Sequence, residues 1–207
     1  MKKIITLFTL MLCICATAQE AVDMGLSVKW ASCNVGATKP EEYGCYYAWG
    51  EIEKKSNYSW STYKWYNDGK KILTKYCTVS RFGAVDNNRI LDPEDDIAHV
   101  EWGGNWRLPT RDEIKKLRKK CIWQWVTVNG VNGYKVTGPN GNSIFLPAAG
   151  YREGRDLFLR GSYGGYWSSS LDSGYNCIAL YFGFGGGYYD WDSNDRSFGL
   201  TVRPVCK

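Results

Sequence analysis

Few residues in this chain can do covalent or metal chemistry, and their spacing narrows the choice. His99 is the single histidine in 207 residues, it follows a run of acids, and no nucleophile stands beside it, so triad hydrolysis and histidine metal sites are poorly supported. Ser168 to Ser170 lie in GYWSSS, not in a G-x-S-x-G elbow, and read as strand and turn hydroxyls. The run GFGGGY at 183–188 lacks a Gly-Lys-Ser/Thr and a following helix, so it reads as a flexible turn and not as a phosphate loop. Of the eight cysteines, Cys13 and Cys15 sit in an apolar N-terminal run, leaving Cys33, Cys45, Cys77, Cys121, Cys177 and Cys206. No CxxC pair occurs, which disfavours zinc-ribbon and thioredoxin chemistry, and six cysteines are compatible with about 15 pairings or with buried thiols.

Carboxylates are the remaining chemical resource. Asp190, Asp192 and Asp195 in YYDWDSND could offer oxygen ligands to calcium, although position six of an EF-hand count falls on Asp195 and position twelve on Thr201. Solvated loop acids are the plainer reading. Asp92, Glu94, Asp95 and Asp96 read as a helix start, with Asp92 as cap and Pro93 in the first turn of a short helix running to about Val100.

Binding chemistry is better represented than catalysis. Between Gly161 and Trp191 the chain carries ten aromatic residues and eight glycines in 31 positions, and Tyr, Ser, Gly and Asp together form the composition of adaptable recognition surfaces. Ile178, Leu180 and Phe182 alternate as one face of a strand, whereas the glycine-broken run 183–195 lacks a period that would bury every ring. Tyr175, Tyr188, Tyr189, Trp191, Asp192 and Asn194 are therefore the expected ligand-binding residues, their rings stacking on apolar faces and their polar groups fixing orientation. Rings such as Tyr166, Trp167 and Phe182 are at least as well explained as core filling.

The elements that position this segment start with a helix. Pro109 biases Leu108 away from helix, and Thr110 and Glu113 form a capping box, so a helix begins at Thr110 with Ile114, Leu117 and Cys121 on one stripe. Lys115, Lys116, Arg118, Lys119 and Lys120 fill the solvated face and suit the C-terminal end of the dipole. Ile122–Val128, Tyr134–Thr137 and Ser143–Leu146 read as an antiparallel meander with Asn/Gly turns at 129–133 and 138–142. Leu26–Ala31 and Tyr43–Trp49 read as outer strands, 56–75 as a long loop pinned by its rings, and Leu200–Val205 as a closing strand.

Several blocks in this order carry a family resemblance: AVDMGLSVKWASCNVGA at 21–37, YGCYYAWGE at 43–51, LDPEDDIAHVEWGG at 91–104, GGNWRLPTRDEIKKL at 103–117, NGNSIFLPAAGYREG at 140–154, GGYWSSS at 164–170 and FGLTVRPV at 198–205. RLPT-x-x-E resembles the signature of the formylglycine-generating, C-type-lectin-like superfamily. The whole set resembles the Fibrobacter succinogenes major paralogous domain, common in secreted proteins of gut Bacteroidetes. The resemblance implies an α+β, C-type-lectin-like (formylglycine-generating-enzyme-like) fold, with antiparallel strands, two short helices and long loops.

It also implies a disulfide between Cys33, in CNVGA, and Cys121, in C-x-W-x-W. WDSND resembles the Trp-Asn-Asp calcium motif of C-type lectins, and the C-terminal segment resembles the variable ends of retroelement-diversified lectin-fold proteins, from which Trp191 departs. The superfamily's formylglycine enzymes use a close cysteine pair near the C-terminus, whereas Cys177 and Cys206 are 29 residues apart here. Its iron-dependent members need histidines that this chain does not have, so the resemblance carries the scaffold and not the catalysis.

The N-terminus, with Lys2, Lys3, an apolar run from Ile4 to Cys15 and Ala16-Thr17-Ala18, has the layout of a secretory signal over residues 1–18. Residues 19–207 then form a single domain, long enough to bury about 70% of its unfolded surface. Without Lys2 and Lys3 the charge is 24 basic against 21 acidic residues, too mild a balance to imply nucleic acid. No later run is apolar over the ~20 residues of a membrane span. The expected function is non-catalytic adhesion or recognition of a carbohydrate or protein ligand at the periplasm, cell surface or exterior, with no cofactor unless calcium. A divergent carbohydrate-active enzyme and a structural subunit of a surface assembly are the alternatives.

Overall fold

In the computed structural model, which describes residues 20–207, the chain opens with two short paired strands, β1 (Ala21–Val22) and β2 (Lys29–Ala31). The expected signal, residues 1–18, lies outside the described residues, as do Cys13 and Cys15. A long irregular stretch follows, holding a 3-10 turn at Trp60–Thr62 and a small hairpin, β3 (Tyr66–Asn67) with β4 (Ile72–Leu73). Next come 3-10 turns at Ser80–Phe82 and Pro93–Asp95, then α1 (Ile97–Trp102) and α2 (Arg111–Lys120). The meander is β5 (Ile122–Val128), β6 (Val131–Thr137) and β7 (Ser143–Pro147), followed by the hairpin β8 (Tyr151–Glu153) and β9 (Asp156–Phe158). A second antiparallel sheet, in order β10 (Tyr163–Leu171), β11 (Ile178–Gly185) and β12 (Tyr188–Asp195), precedes β13 (Val205–Cys206), which returns to pair with β2. The fold is thus mixed but strand-rich, with two α-helices and several small antiparallel sheets among the described residues.

Local chemistry explains the best-formed pieces. At the start of α2, Thr110 Oγ1 accepts the Glu113 N–H at 3.4 Å while Glu113 Oε2 accepts the Thr110 N–H at 2.8 Å, the reciprocal box that satisfies two end donors. Arg107 then forks onto the same carboxylate at 2.8 and 2.7 Å, tying the loop before Pro109 to the helix. Ile114 and Leu117 are buried. Asn129 (φ 48°) and Gly130 (φ 81°) alone make the β5–β6 turn, a left-handed pair suited to a two-residue hairpin. Val131 to Gly133, expected in that turn, are therefore strand residues.

Four further expectations are corrected. Tyr43–Trp49 forms no strand: Cys45, Tyr47 and Trp49 send their N–H groups to three different carbonyls, those of Val35, Leu200 and Arg196, and the segment is core instead of outer edge, with Tyr47 and Trp49 buried. Only Lys29–Ala31 of the Leu26–Ala31 run is strand. Leu200–Val205 gives isolated bridges, Tyr47 with Leu200 and Tyr166 with Thr201, before β13. Asp92 makes no side-chain cap; Asp96 does, accepting Ala98 and His99 N–H groups at 2.9 and 3.3 Å, so the helix is delayed to Ile97.

The sheet β10–β11–β12 divides the interior. Its inner face, with Tyr166, Phe182 and Phe184, packs on α2 and the meander; its other face, with Trp167, Leu171, Ala179 and Tyr181, packs on the irregular segment around Tyr47, Trp49 and Tyr76. Glycines admit the rings at close range: a Cβ on Gly164 would collide with the Phe184 ring. Arg203, buried in the last segment, donates to Asn34 Oδ1 at 2.9 Å and to the carbonyls of Ala31, Ser32 and Phe145 at 3.0, 3.0 and 2.8 Å, joining the β2 end to β7.

Candidate functional site

The run expected to lack a period is a regular hairpin. Gly186 and Gly187 turn the chain, and β11 pairs β12 from Gly185 with Tyr188 to Ile178 with Asp195. Side chains then alternate: Tyr188, Asp190 and Asp192 are exposed, while Tyr189 and Trp191 point inward. Tyr189 stacks on Trp123 at 4.8 Å, and Trp191 meets Phe182 edge-on at 6.4 Å with the Arg111 guanidinium 5.9 Å from its ring. Both are half-buried residues whose rings pack on the fold, so less of each is presented to a ligand than of Tyr188.

The outward face keeps a compact polar and aromatic group. The Tyr163 hydroxyl donates to the Tyr181 hydroxyl at 2.8 Å, which donates to Asp192 Oδ2 at 3.1 Å. Burial raises the ionisation range of both tyrosines, keeping them as neutral donors. Gly183 and Gly185 form the floor: a Cβ on Gly183 would come 2.5 Å from the Tyr163 hydroxyl, and one on Gly185 would come 2.8 Å from the Tyr188 ring. Tyr188 lies over this floor and is 59% exposed. Tyr163 and Tyr181 had no distinguishing sequence signal beyond their place in the aromatic-rich segment.

β12 is also the last strand of its sheet, and its acids serve that edge. Asp190 Oδ1 accepts the Trp191 N–H at 2.7 Å, Asp192 Oδ1 the Ser193 N–H at 2.8 Å, and Asn194 Oδ1 the Asp195 N–H at 2.8 Å. These are alternate N–H groups, the set that an antiparallel edge strand turns away from its neighbour. Three alternate side chains thus blunt the edge against further pairing. Asn194 is engaged in this way, and so is one oxygen of Asp192.

The calcium expectation loses its geometry for the same reason. Asp190 pairs with Arg118 at 3.2 Å, Asp192 holds Tyr181, and Asp195 falls on the opposite face of the strand, where Oδ2 accepts the Trp60 indole N–H at 3.2 Å. Among the described residues the grouping of acids close enough for an ion is Asp92, Glu94 and Asp95. Lys75 Nζ already fills it, at 2.7, 3.6 and 2.6 Å from the three carboxylates. Burial works against the Lys75 charge, but the hydrogen bonds to Asp92 and Asp95 outweigh it and raise its pKa.

Tyr175 is exposed yet stands apart from Tyr188. It lies before β11, at the end of the sheet opposite the Gly186–Gly187 turn, so roughly 20 Å of strand separates the two. Its neighbours are Phe82, with ring centroids 6.5 Å apart, and the Arg81 guanidinium at 5.9 Å. Beside them a groove of about 270 Å³ is walled by Trp60, Tyr66, Phe82, Arg81, Cys177 and Asp195. Arg196, fully buried behind Asp195, holds the walls: it donates to Tyr63 Oη at 2.9 Å and to the carbonyls of Lys75, Tyr76 and Asn176 at 3.0, 3.2 and 3.1 Å. No contiguous sequence signal marks this groove, because its walls come from segments over a hundred residues apart.

Two other hollows lack such chemistry. One of about 560 Å³, between β1 and β7, contains none of the expected site residues. One of about 280 Å³ contains His99 and Asp96, whose carboxyl burial pushes up to about 6 despite three backbone N–H bonds, the third from Leu108 at 2.7 Å.

Among the described residues no disulfide is formed, which corrects the expected Cys33–Cys121 bridge. Cys33 Sγ donates to the Ala37 carbonyl at 3.4 Å within its own loop. Cys121 ends α2 and packs against the cluster of Ile114 and Leu117, where burial pushes its thiol up to about 11. Also among the described residues, no helix is long and apolar enough to cross a membrane. Comparisons with protein-family models, curated proteins and solved structures find no match.

Proposed function

We propose that the chain is an exported, non-catalytic recognition domain of the C-type-lectin-like type, related to the Fibrobacter succinogenes major paralogous domain. Its outward β12 face takes a carbohydrate or protein ligand. The scaffold part of this reading is supported by two helices, small antiparallel sheets and long loops, and by Arg107 and Glu113 of RLPT-x-x-E acting as one structural unit. The export part is supported by the layout of residues 1–18.

One observation carries the binding part: Tyr188, exposed above a glycine floor, stands on the same strand face as Asp192, whose carboxylate terminates a chain of two tyrosine hydroxyls. An exposed ring gives area with little side-chain entropy to lose, and the fixed hydroxyl–carboxylate chain gives orientation. Glycines 183 and 185 let the Tyr163 hydroxyl and the Tyr188 ring lie close over the backbone, which fixes where they stand. Tyr175 belongs to the other end of the sheet and is not needed for this face.

A glycan and surface-protein array probed with residues 19–207, in calcium and in chelator, tests the reading. The expected result is a ligand retained in chelator by the wild type and lost by Tyr188→Ala. A ligand retained by a folded Tyr188→Ala places recognition elsewhere.

A further inference from the structure

We propose that the groove at the Tyr175 end of the sheet is a second binding site, taking an anionic sugar residue whose carboxylate sits on Arg81. This rests on the reading of the chain as a ligand-binding domain, but on none of the outward β12 residues. The groove's volume of about 270 Å³ suits a single sugar ring and lies just below the usual ~300–1,000 Å³ of small-molecule sites. Its rings are held in place before any ligand arrives. Trp60 packs 5.1 Å from Tyr66 and edge-on to Tyr63 at 5.4 Å, and its indole N–H is fixed on Asp195. Such rings offer flat faces to the C–H side of a pyranose.

One cation without an acid partner, Arg81, faces a groove whose single lining carboxylate among the described residues is Asp195. The Arg81 guanidinium lies 4.6 Å over Phe82 and 5.9 Å from Tyr175, yet makes no ion pair among the described residues, which leaves its N–H donors open to an anion. Lys71 adds a second cation at the rim, paired outward with Asp68 at 2.7 Å. Burial raises the Cys177 thiol above its ordinary range, so it puts no negative charge beside the anion. Asp195 has Oδ2 on Trp60, and no hydrogen bond to Oδ1 is made among the described residues, which suits a ligand hydroxyl. Rings, a guanidinium without an ion pair and a hydroxyl acceptor in one groove match a hexuronate better than a neutral sugar, which offers Arg81 hydroxyl oxygens but no charged, bidentate acceptor. A peptide carboxylate would use Arg81 but not the paired rings.

The test is calorimetric titration of residues 19–207 with short oligomers of galacturonate, glucuronate-containing and mannuronate chains. Their methyl esters, sulfated and neutral counterparts, and an oligoglutamate are titrated alongside. At least one uronate oligomer should bind, and its methyl ester should bind at least about tenfold more weakly. Arg81 is exposed, so Arg81→Gln should keep the melting temperature while losing affinity to the same extent, and Tyr188→Ala should leave it unchanged. No binding by any uronate, equal binding of the ester or the neutral chain, preference for the sulfated chain or the oligoglutamate, or full affinity in Arg81→Gln would each overturn the proposal. Loss in Tyr188→Ala alone would place the uronate on the β12 face and overturn it as well.

Discussion

Replacing Arg196 with alanine removes the donor that four oxygens share: Tyr63 Oη and the carbonyls of Lys75, Tyr76 and Asn176. Hydrogen bonds from a charged donor contribute about 1.5–3 kcal/mol each, so the gross loss is roughly 6–12 kcal/mol. The alanine variant buries no guanidinium and so avoids a desolvation cost of several kcal/mol, which brings the net loss to about 3–5 kcal/mol. The rings of Trp49, Tyr63 and Tyr76, at 4.9, 5.2 and 5.7 Å from the guanidinium carbon, lose packing too. Urea unfolding followed by tryptophan fluorescence is the assay; with a slope of about 2 kcal/mol/M, the midpoint should fall by about 1.5–2.5 M. Arg196→Lys keeps the charge but not the planar fork and should recover only part of this. A loss below about 1 kcal/mol in Arg196→Ala would refute the claim that this side chain holds the irregular half of the fold together.

Thr110→Ala, which removes one half of the capping box, should lower stability by about 1 kcal/mol in the same assay. Burial would raise the Glu113 pKa, but the Arg107 and Thr110 hydrogen bonds outweigh it and hold it below the ordinary range. Its contribution should therefore be present above about pH 4.3 and be lost as pH falls through the lower folded-state value, so melts against pH should show a shallower acid limb in Glu113→Gln. Asp96, raised to about 6 by burial, acts in the opposite sense: stability should decline between about pH 4 and 6, where the unfolded-state carboxyl has ionised and the folded one still holds its proton, and level off above that. Tyr189→Ala should destabilise by about 2–4 kcal/mol, because its ring is stacked on Trp123, while Tyr188→Ala should change stability by less than about 0.5 kcal/mol. Equal effects from the two substitutions would contradict the alternation along β12.

What could be read from sequence was mostly short-range. Thr110 with Glu113, Pro109, and the Asn129-Gly130 turn act through neighbours within four residues, and the helix and meander followed from them. Tyr43–Trp49 looked like a strand because its composition is that of one. Its backbone partners are scattered over residues 35 to 200, and no local pattern encodes that. Arg196 and Arg203 were not singled out because their roles depend on carbonyls 20 to 172 residues away. Tyr189 and Trp191 show a different failure: once Gly186-Gly187 is taken as a hairpin turn, the same residues 188–195 show the two-residue period that sends them inward. The groove walls at Trp60, Phe82 and Asp195 converge only through the tertiary fold.

The binding role of the outward β12 face is tested most directly by titrating the ligand found on the array against the wild type, Tyr188→Ala and Asp192→Asn, with the melting temperature of each measured alongside. Both variants should melt within a few degrees of the wild type and bind at least about tenfold more weakly, since ring and carboxylate are exposed and contribute to the ligand more than to the fold. Unchanged affinity in both variants, with folding intact, would contradict recognition on this face.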